Sequence, residues 1–334
     1  MKNRQIILTE LPQDKLTAQH FHIRQTSMPV PRQGEVLLRA LYFSLDAASR
    51  AWMQGTTYRA GLAAGAVMSG LALAEVVESY SPQLAVGDLV LAETGWQTFS
   101  LSPAEHLMKL SAIEPITHLL SIYGVPGLTA YFGLLECGMP KAGETVVVTA
   151  AAGAVGAFVG QIARIKGCRT IGIAGGAKKC ALLTRELGFQ EAIDYKAGNL
   201  HEALRTACPE GIDVFFDNVG GDILEAGLLN MASYGRIVCC GAISQYDAQA
   251  PIAGPLGVPG MMIIKSLTMR GFLLSDFLAN RERAIAELTA WVAAGELVVP
   301  EDILEGFDKL PTGLIGLLAG ENVGKRLVKV MDDA

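Results

Sequence analysis

The sequence predicts an α/β protein, in which a doubly wound parallel sheet flanked by helices is joined to a second domain of short strands. Three observations carry this. Residues 144–176 read as strand, turn, helix and strand; the alternation of strand and helix then continues to Cys240; and residues 34–110 read as short strands separated by turns. At 334 residues, 51% of them hydrophobic, the chain is long enough for two cores rather than one.

Val146, Val147 and Val148 form a β-branched run short enough to be a strand buried on both faces, and the small residues from Ala150 to Gly156 follow it as a tight turn. Val155, Val159, Ile162, Ala163 and Ile165 then recur at helical spacing. Thr170 to Ala174 supply the second strand, closing a βαβ unit of the size of a dinucleotide-binding half. In the G-x-G-x-x-G fingerprint the first glycine allows the turn, the second lets backbone approach a pyrophosphate, and the third lets the helix pack on the strand. Those places are Ala151, Gly153 and Gly156, so the first glycine is missing. The order of elements still puts unpaired N–H groups and the positive end of a helix dipole where an anion would bind. An ordinary close-packed turn of another α/β domain is the alternative on this segment alone.

The end of the second strand speaks to the cofactor. An NAD site places a carboxylate about 20 residues past the glycines, whereas an NADP site has cationic groups for the 2′-phosphate. Here Gly175-Gly176-Ala177 holds no carboxylate and Lys178-Lys179 follow, which favours NADP(H), although a lysine pair at a helix start is also ordinary solvated charge.

A net charge of −6, with no dense basic run, argues against a nucleic-acid partner. The first residues lead into a strand-like Ile6-Ile7-Leu8 and not into a signal-peptide core, and no apolar stretch reaches the about 18 residues of a membrane span. Cys137, Cys168, Cys180, Cys208, Cys239 and Cys240 are scattered without a C-x-x-C pair, which fits free thiols in a cytoplasmic setting and no zinc site. His20-x-His22, the one close histidine pair, reads as surface loop or strand.

The β-rich part offers strands at Glu35–Tyr42, Leu71–Glu78, Leu89–Ala92 and Trp96–Phe99, which a compact, partly open barrel would bury. A helix-like Leu128–Cys137 bridges into the βαβ region. Beyond Lys178 the pattern predicts helices over 178–187, 199–207 and 222–231, with strands Glu191–Tyr195, Ile212–Asp217 and Arg236–Cys240; a last strand is predicted over Arg326–Met331. The stretches Asp217–Gly221 and Gly241–Ser244 then fall at the carboxyl ends of strands, where such sheets bind ligands. Asn218 there either meets a nicotinamide group or caps the next helix.

The stretches Val125-Pro126-Gly127-Leu128-Thr129-Ala130-Tyr131, Lys141-Ala142-Gly143-Glu144-Thr145-Val146-Val147-Val148, Ala150 to Gly156, Phe216-Asp217-Asn218-Val219-Gly220-Gly221 and Gly324-Lys325 resemble the zinc-independent medium-chain dehydrogenase/reductases. The branch most similar holds leukotriene B4 dehydrogenases and prostaglandin, curcumin and plant alkenal reductases. The resemblance implies a GroES-like β-barrel catalytic domain over residues 1–124 with 305–334, and a Rossmann domain over 125–304 inserted in it. It also implies a homodimer that uses NADPH to reduce the carbon–carbon double bond of α,β-unsaturated ketones or aldehydes without a metal. Carried over residue by residue, Ala152, Gly153, Ala154 and Val155 face the pyrophosphate, Lys178 and Tyr195 hold the 2′-phosphate side, and Asn218 meets the nicotinamide half. Cys240, Gly241, Ala242, Ile243, Ser244 and Tyr246, with Phe272, Leu273, Leu274 and Asn322, complete the cofactor groove.

Two departures bear on the substrate. Relatives commonly read Asp-Pro-Tyr-Met-Arg where this chain has Asp46-Ala47-Ala48-Ser49-Arg50, so a pocket tyrosine is replaced by Ala48; near Ile264, where some relatives carry an enolate-supporting tyrosine, this chain is apolar. Tyr58 and Tyr246 are the candidate hydroxyl donors in their place, each equally able to be a packing aromatic. A quinone oxidoreductase of the same superfamily, or a non-catalytic NADPH-binding sensor, is the competing reading.

Overall fold

The computed structural model describes residues 2–247 and 254–330. It divides into two compact units, one formed by Met1–Leu120, Asp302–Asn322 and Arg326–Ala334, the other by Ser121–Glu301 and Val323–Lys325. In chain order the strands are β1 (Asn3–Leu8), β2 (Phe21–Thr26), β3 (Glu35–Ser44), β4 (Leu71–Ser79), β5 (Leu89–Glu93), β6 (Phe99–Pro103), β7 (Lys109–Leu110), β8 (Thr145–Val148), β9 (Arg169–Ala174), β10 (Glu191–Asp194), β11 (Ile212–Asp217), β12 (Met231–Cys239), β13 (Thr268–Gly271), β14 (Glu301–Glu305) and β15 (Lys325–Lys329).

The first unit is antiparallel. Its main sheet runs β14-β15-β3-β4-β5-β7, with β6 also on β3, and β1 and β2 pair separately. Alternation along β3 and β4 buries Phe43 and Ala72 against Ile6, Leu8, Trp96, Phe307, Leu310 and Val328. The strand expected at Trp96–Phe99 starts instead at Phe99. Gly95 takes a left-handed φ of 65° and turns the chain, so that the Trp96 indole goes into the core, where Phe21 stacks on it at 5.5 Å.

The second unit carries a six-stranded parallel sheet in the order β10-β9-β8-β11-β12-β13. Val147 pairs with Ile171 on one side and Phe215 on the other, and the run is buried on both faces as its composition requires, Val146 and Val148 packing into one core cluster and Val147 into another. From β8 the chain winds outward through β9 and β10, then returns to β11 on the opposite side of β8; β8 and β11 therefore bracket the topological switch point. Helices Gly156–Ile165, Ala177–Arg185, Leu200–Ala207 and Gly221–Leu229 follow the strands as the alternation predicts. The helix expected over 222–231 stops at Leu229, and β12 begins at Met231 rather than Arg236. A left-handed Tyr234 (φ 63°) makes a bulge there, and the register with β11 shifts between Ile212 and Val214, which hides the strand's first half from a period-two reading.

Candidate functional site

Nearly all the candidate residues of the second unit follow directly on strand carboxyl ends: 149–155 after β8, 218–221 after β11, 240–246 after β12, 272–274 after β13, and 175–178 and 195 after β9 and β10. Parallel strands bring these six ends to one edge of the sheet, where open α/β sheets bind ligands.

The turn after β8 is held by backbone bonds. Ala151 N donates to Ile173 O (3.0 Å), Gly153 N to Ala150 O (2.9 Å), and Gly324 N to Ala152 O (2.8 Å). The left-handed residue is Ala150 (φ 47°), one position before the missing fingerprint glycine, so Ala151 needs no glycine. Gly156 does need to be one: a Cβ there would lie 2.5 Å from Ala150 O and 2.8 Å from Ala151 Cα, and both obstacles are backbone. That close approach starts helix Gly156–Ile165 on top of the turn, with Ala152 buried and Gly153, Ala154 and Val155 half-buried. Bare, reachable backbone at a helix N-terminus fits a pyrophosphate.

At the switch point, Thr149 and Asp217 are buried, and the Thr149 hydroxyl donates to Asp217 Oδ1 (2.9 Å) while accepting from Asn218 N (2.7 Å). Asp217 also accepts from Val219 N (3.0 Å) and Gly220 N (3.0 Å). Burial pushes its carboxyl above the ordinary range, opposed by those two backbone N–H groups and by Thr149. The Asn218 side chain is half-buried and its Nδ2 donates to Thr149 O (2.8 Å).

The β12 end closes on this network. Cys240 N donates to Asp217 O (2.8 Å), Ile243 N to Asn218 O (3.2 Å), and Ser244 Oγ to Val219 O (2.6 Å). The Tyr246 hydroxyl accepts from Ala242 N (3.2 Å), closing its own short helix Ile243–Tyr246. After β13, the Phe272 ring meets Phe277 edge-on at 6.1 Å, Leu274 packs on the core and Leu273 is exposed.

On the β9 side, Gly176 (φ 94°) turns the chain into helix Ala177–Arg185, leaving Lys178 exposed. A Cβ on Gly175 would come within 2.9 Å of the Tyr195 ring and 3.0 Å of Lys196 Cε, so both side chains flank the bare Gly175. Lys196 lies 5.8 Å from the Tyr195 ring centre and is a further cation beside Tyr195 that the sequence reading passed over. Its signal was available in its place, just after β10. The carboxylate of Asp194 accepts from Gly176 N (2.8 Å) and Lys196 N (3.0 Å), and these bonds hold it below the usual range. Lowered, it contributes its support above the ordinary carboxylate range and loses it only as pH falls through the folded value. Asp194→Ala is expected to raise KM for the phosphorylated cofactor at pH 7 with kcat little changed; an unchanged KM would separate this turn from cofactor binding.

Tyr58, Asn322 and Ala48 belong to the first unit. Tyr58 is 62% exposed and edge-on to Trp52 at 6.2 Å. Asn322 is buried, and Ala48 opens helix Ala48–Gln54, half-buried. Ile264, on helix Val258–Lys265, is 82% exposed.

Among the described residues no group of three His, Cys, Asp or Glu side chains could hold a metal. Burial also pushes the thiols up, Cys168, Cys208 and Cys239 to about 11 and Cys240 to about 12. At pH 7.5 they are neutral and poor nucleophiles. Intact-mass measurement after brief iodoacetamide treatment of the native protein is expected to show these four unmodified, and rapid alkylation of any of them would contradict that burial.

Two family models match, an N-terminal domain of oxidoreductase over residues 4–110 and a zinc-binding dehydrogenase over residues 154–293. Prostaglandin reductase 1 of Bos taurus is 43% identical over 320 residues, 94% of each chain. The 2-alkenal reductase (NADP(+)-dependent) of Nicotiana tabacum is 38% identical over 340 residues, covering 99% of this chain and 98% of its own. A crystal structure of CurA in complex with NADPH from Vibrio vulnificus is 40% identical and superposes with a TM-score of 0.94 over 99% of this chain and 100% of that one. With relatives of this identity along its whole length, the chain belongs to the medium-chain dehydrogenase/reductase family, in the zinc-independent branch of the prostaglandin and alkenal reductases.

Proposed function

We propose that this protein uses NADPH to reduce the carbon–carbon double bond of α,β-unsaturated ketones and aldehydes, with hydride delivered to the β-carbon. The observation that carries the reading is the switch-point edge of the second unit, where the β8 turn with its half-buried Gly153 backbone and Asn218 follow the ends of neighbouring strands, in a chain similar to an alkenal reductase throughout.

In this reading the 152–155 turn meets the pyrophosphate, Lys178, Tyr195 and Lys196 meet the 2′-phosphate, and Asn218 with 240–246 and 272–274 takes the nicotinamide half. The second unit is then the cofactor-binding domain, and the first the catalytic one. The assignments of Tyr58 and Asn322 rest on the resemblance alone. When bound, NADPH supplies the hydride. The chain's own part is to orient the reactants, exclude water and meet the charge that grows on the carbonyl oxygen with donors already in place. The Tyr246 hydroxyl, which accepts from Ala242 N, is the candidate donor to that oxygen. Tyr246→Phe is expected to lower kcat by about tenfold with KM for NADPH within about twofold; an unchanged kcat would leave that hydroxyl a structural closure only.

The functional test is a screen of NADPH oxidation across enones, alkenals and quinones, with NADH as control. Steady turnover of enones or alkenals is the expected result. Oxidation with quinones alone would make the protein a quinone reductase, and binding without turnover a sensor.

Edge strand β13, with Thr268, Arg270 and Gly271 exposed, and the exposed Leu256, Ile263 and Ile264 beside it in sequence support a homodimer. Sedimentation should then give twice the 35.4 kDa of one chain. Six unpaired cysteines support a cytoplasmic setting.

A further inference from the structure

Asn218 is held from two sides by one residue. Thr149 takes the Asn218 backbone N–H on its hydroxyl (2.7 Å) and the Asn218 side-chain N–H on its carbonyl (2.8 Å). With Nδ2 committed, the other face of the amide presents Oδ1, an acceptor. The hydroxyl can serve Asn218 as an acceptor because its own proton goes to Asp217 Oδ1 (2.9 Å). Asp217 is in turn fixed by Val219 N and Gly220 N, at 3.0 Å each, and its backbone carbonyl takes Cys240 N (2.8 Å). Phe216 O lies farther from the hydroxyl, at 3.5 Å, and already takes Thr149 N (3.0 Å), so the rotor setting toward Asp217 is the better satisfied one and leaves the hydroxyl oxygen to Asn218.

We propose that Thr149 and Asp217 are positioning residues that act through Asn218, fixing its amide oxygen to accept a hydrogen bond from the nicotinamide half of the cofactor. The carboxylate polarises and orients the threonine hydroxyl, the threonine sets both ends of Asn218, and the asparagine makes the contact. Buried chains of this kind act as a unit, so removing one link forfeits the contact. The inference rests on the assignment of Asn218 under the proposed function.

The test compares the binding of two ligands, NADP+ and adenosine 2′,5′-bisphosphate, which has the 2′-phosphate but no nicotinamide. Isothermal titration of Thr149→Val is expected to show NADP+ weakened by about tenfold while the bisphosphate stays within about twofold of the parent protein. Thr149→Ser restores the hydroxyl and should restore NADP+ affinity. In the double variant Thr149→Val/Asn218→Ala, NADP+ should bind no more weakly than in Asn218→Ala alone. Asp217→Asn carries the expectation of Thr149→Val and decides the matter if the valine variant does not fold.

Equal weakening of both ligands, no change in either, additive effects in the double variant or failure of the serine to rescue would each overturn the proposal. If Asn218→Ala itself leaves NADP+ affinity unchanged, it is the assignment of Asn218 to the nicotinamide half that fails. If Asn218→Ala weakens NADP+ and Thr149→Val does not, that assignment stands and the positioning role falls.

Discussion

Replacing Gly156 with alanine is expected to destabilise the protein by about 3 kcal/mol and to weaken NADPH binding by about a hundredfold. The added methyl would meet the backbone at 2.5 and 2.8 Å, and neither Ala150 O nor Ala151 Cα can swing aside as a side-chain end could. Relief requires helix Gly156–Ile165 to lift off the turn, which disorganises the N–H groups proposed for the pyrophosphate. Ala150→Gly is the control. It puts a glycine where the backbone is left-handed, removing strain of about 1 kcal/mol at a comparable cost in chain entropy, so thermal melting and turnover should stay near the parent values. If Gly156→Ala binds NADPH normally and Ala150→Gly does not, the turn is wrongly described.

The second large effect is a change of cofactor ranking. The parent protein should prefer NADPH over NADH by at least about tenfold, the ~1.4 kcal/mol of one ion-paired phosphate contact. Lys178→Ala should erode that preference, and Lys178→Ala with Lys196→Ala should remove most of what remains. Both variants act on the phosphate alone, so kcat/KM for NADH should stay constant. Since Lys178 is exposed, the NADPH preference should also shrink as salt rises. An unchanged ranking in the double variant would place the 2′-phosphate elsewhere.

The parts of the fold legible in the sequence were those where local pattern and tertiary demand agree. Val146–Val148 is continuously apolar because both faces are covered, and Ile212–Asp217 was delimited to the residue by its neighbours' change of period. Trp96 misled because a left-handed Gly95 bends the chain just before it, and a four-residue alternation cannot reveal a bend. The first half of β12 was lost to the bulge at Tyr234. The short β13 and β14 went unseen, and β2 was met only in the loop-or-strand reading of His20-x-His22, because these strands carry mostly half-buried or exposed side chains and have no apolar period.

In the candidate site, the residues flagged by glycine spacing and by a missing carboxylate were within reach of sequence, since both signals are local. The roles of Thr149 and Asp217 were not. They depend on β8 and β11 being neighbours, which is fixed by winding order and leaves no mark on either strand. Asp194 shows the opposite trap. A carboxylate does lie beside the Gly175-Gly176 turn, and its Oδ1 accepts from both Gly176 N and Lys196 N, so it shapes the turn.

The most direct test of the central claim is to reduce an enone with NADPH deuterated at the transferable position of nicotinamide C4 and to locate the label in the product by NMR. The account predicts a saturated ketone carrying deuterium at the former β-carbon. An allylic alcohol with deuterium on the former carbonyl carbon would contradict it.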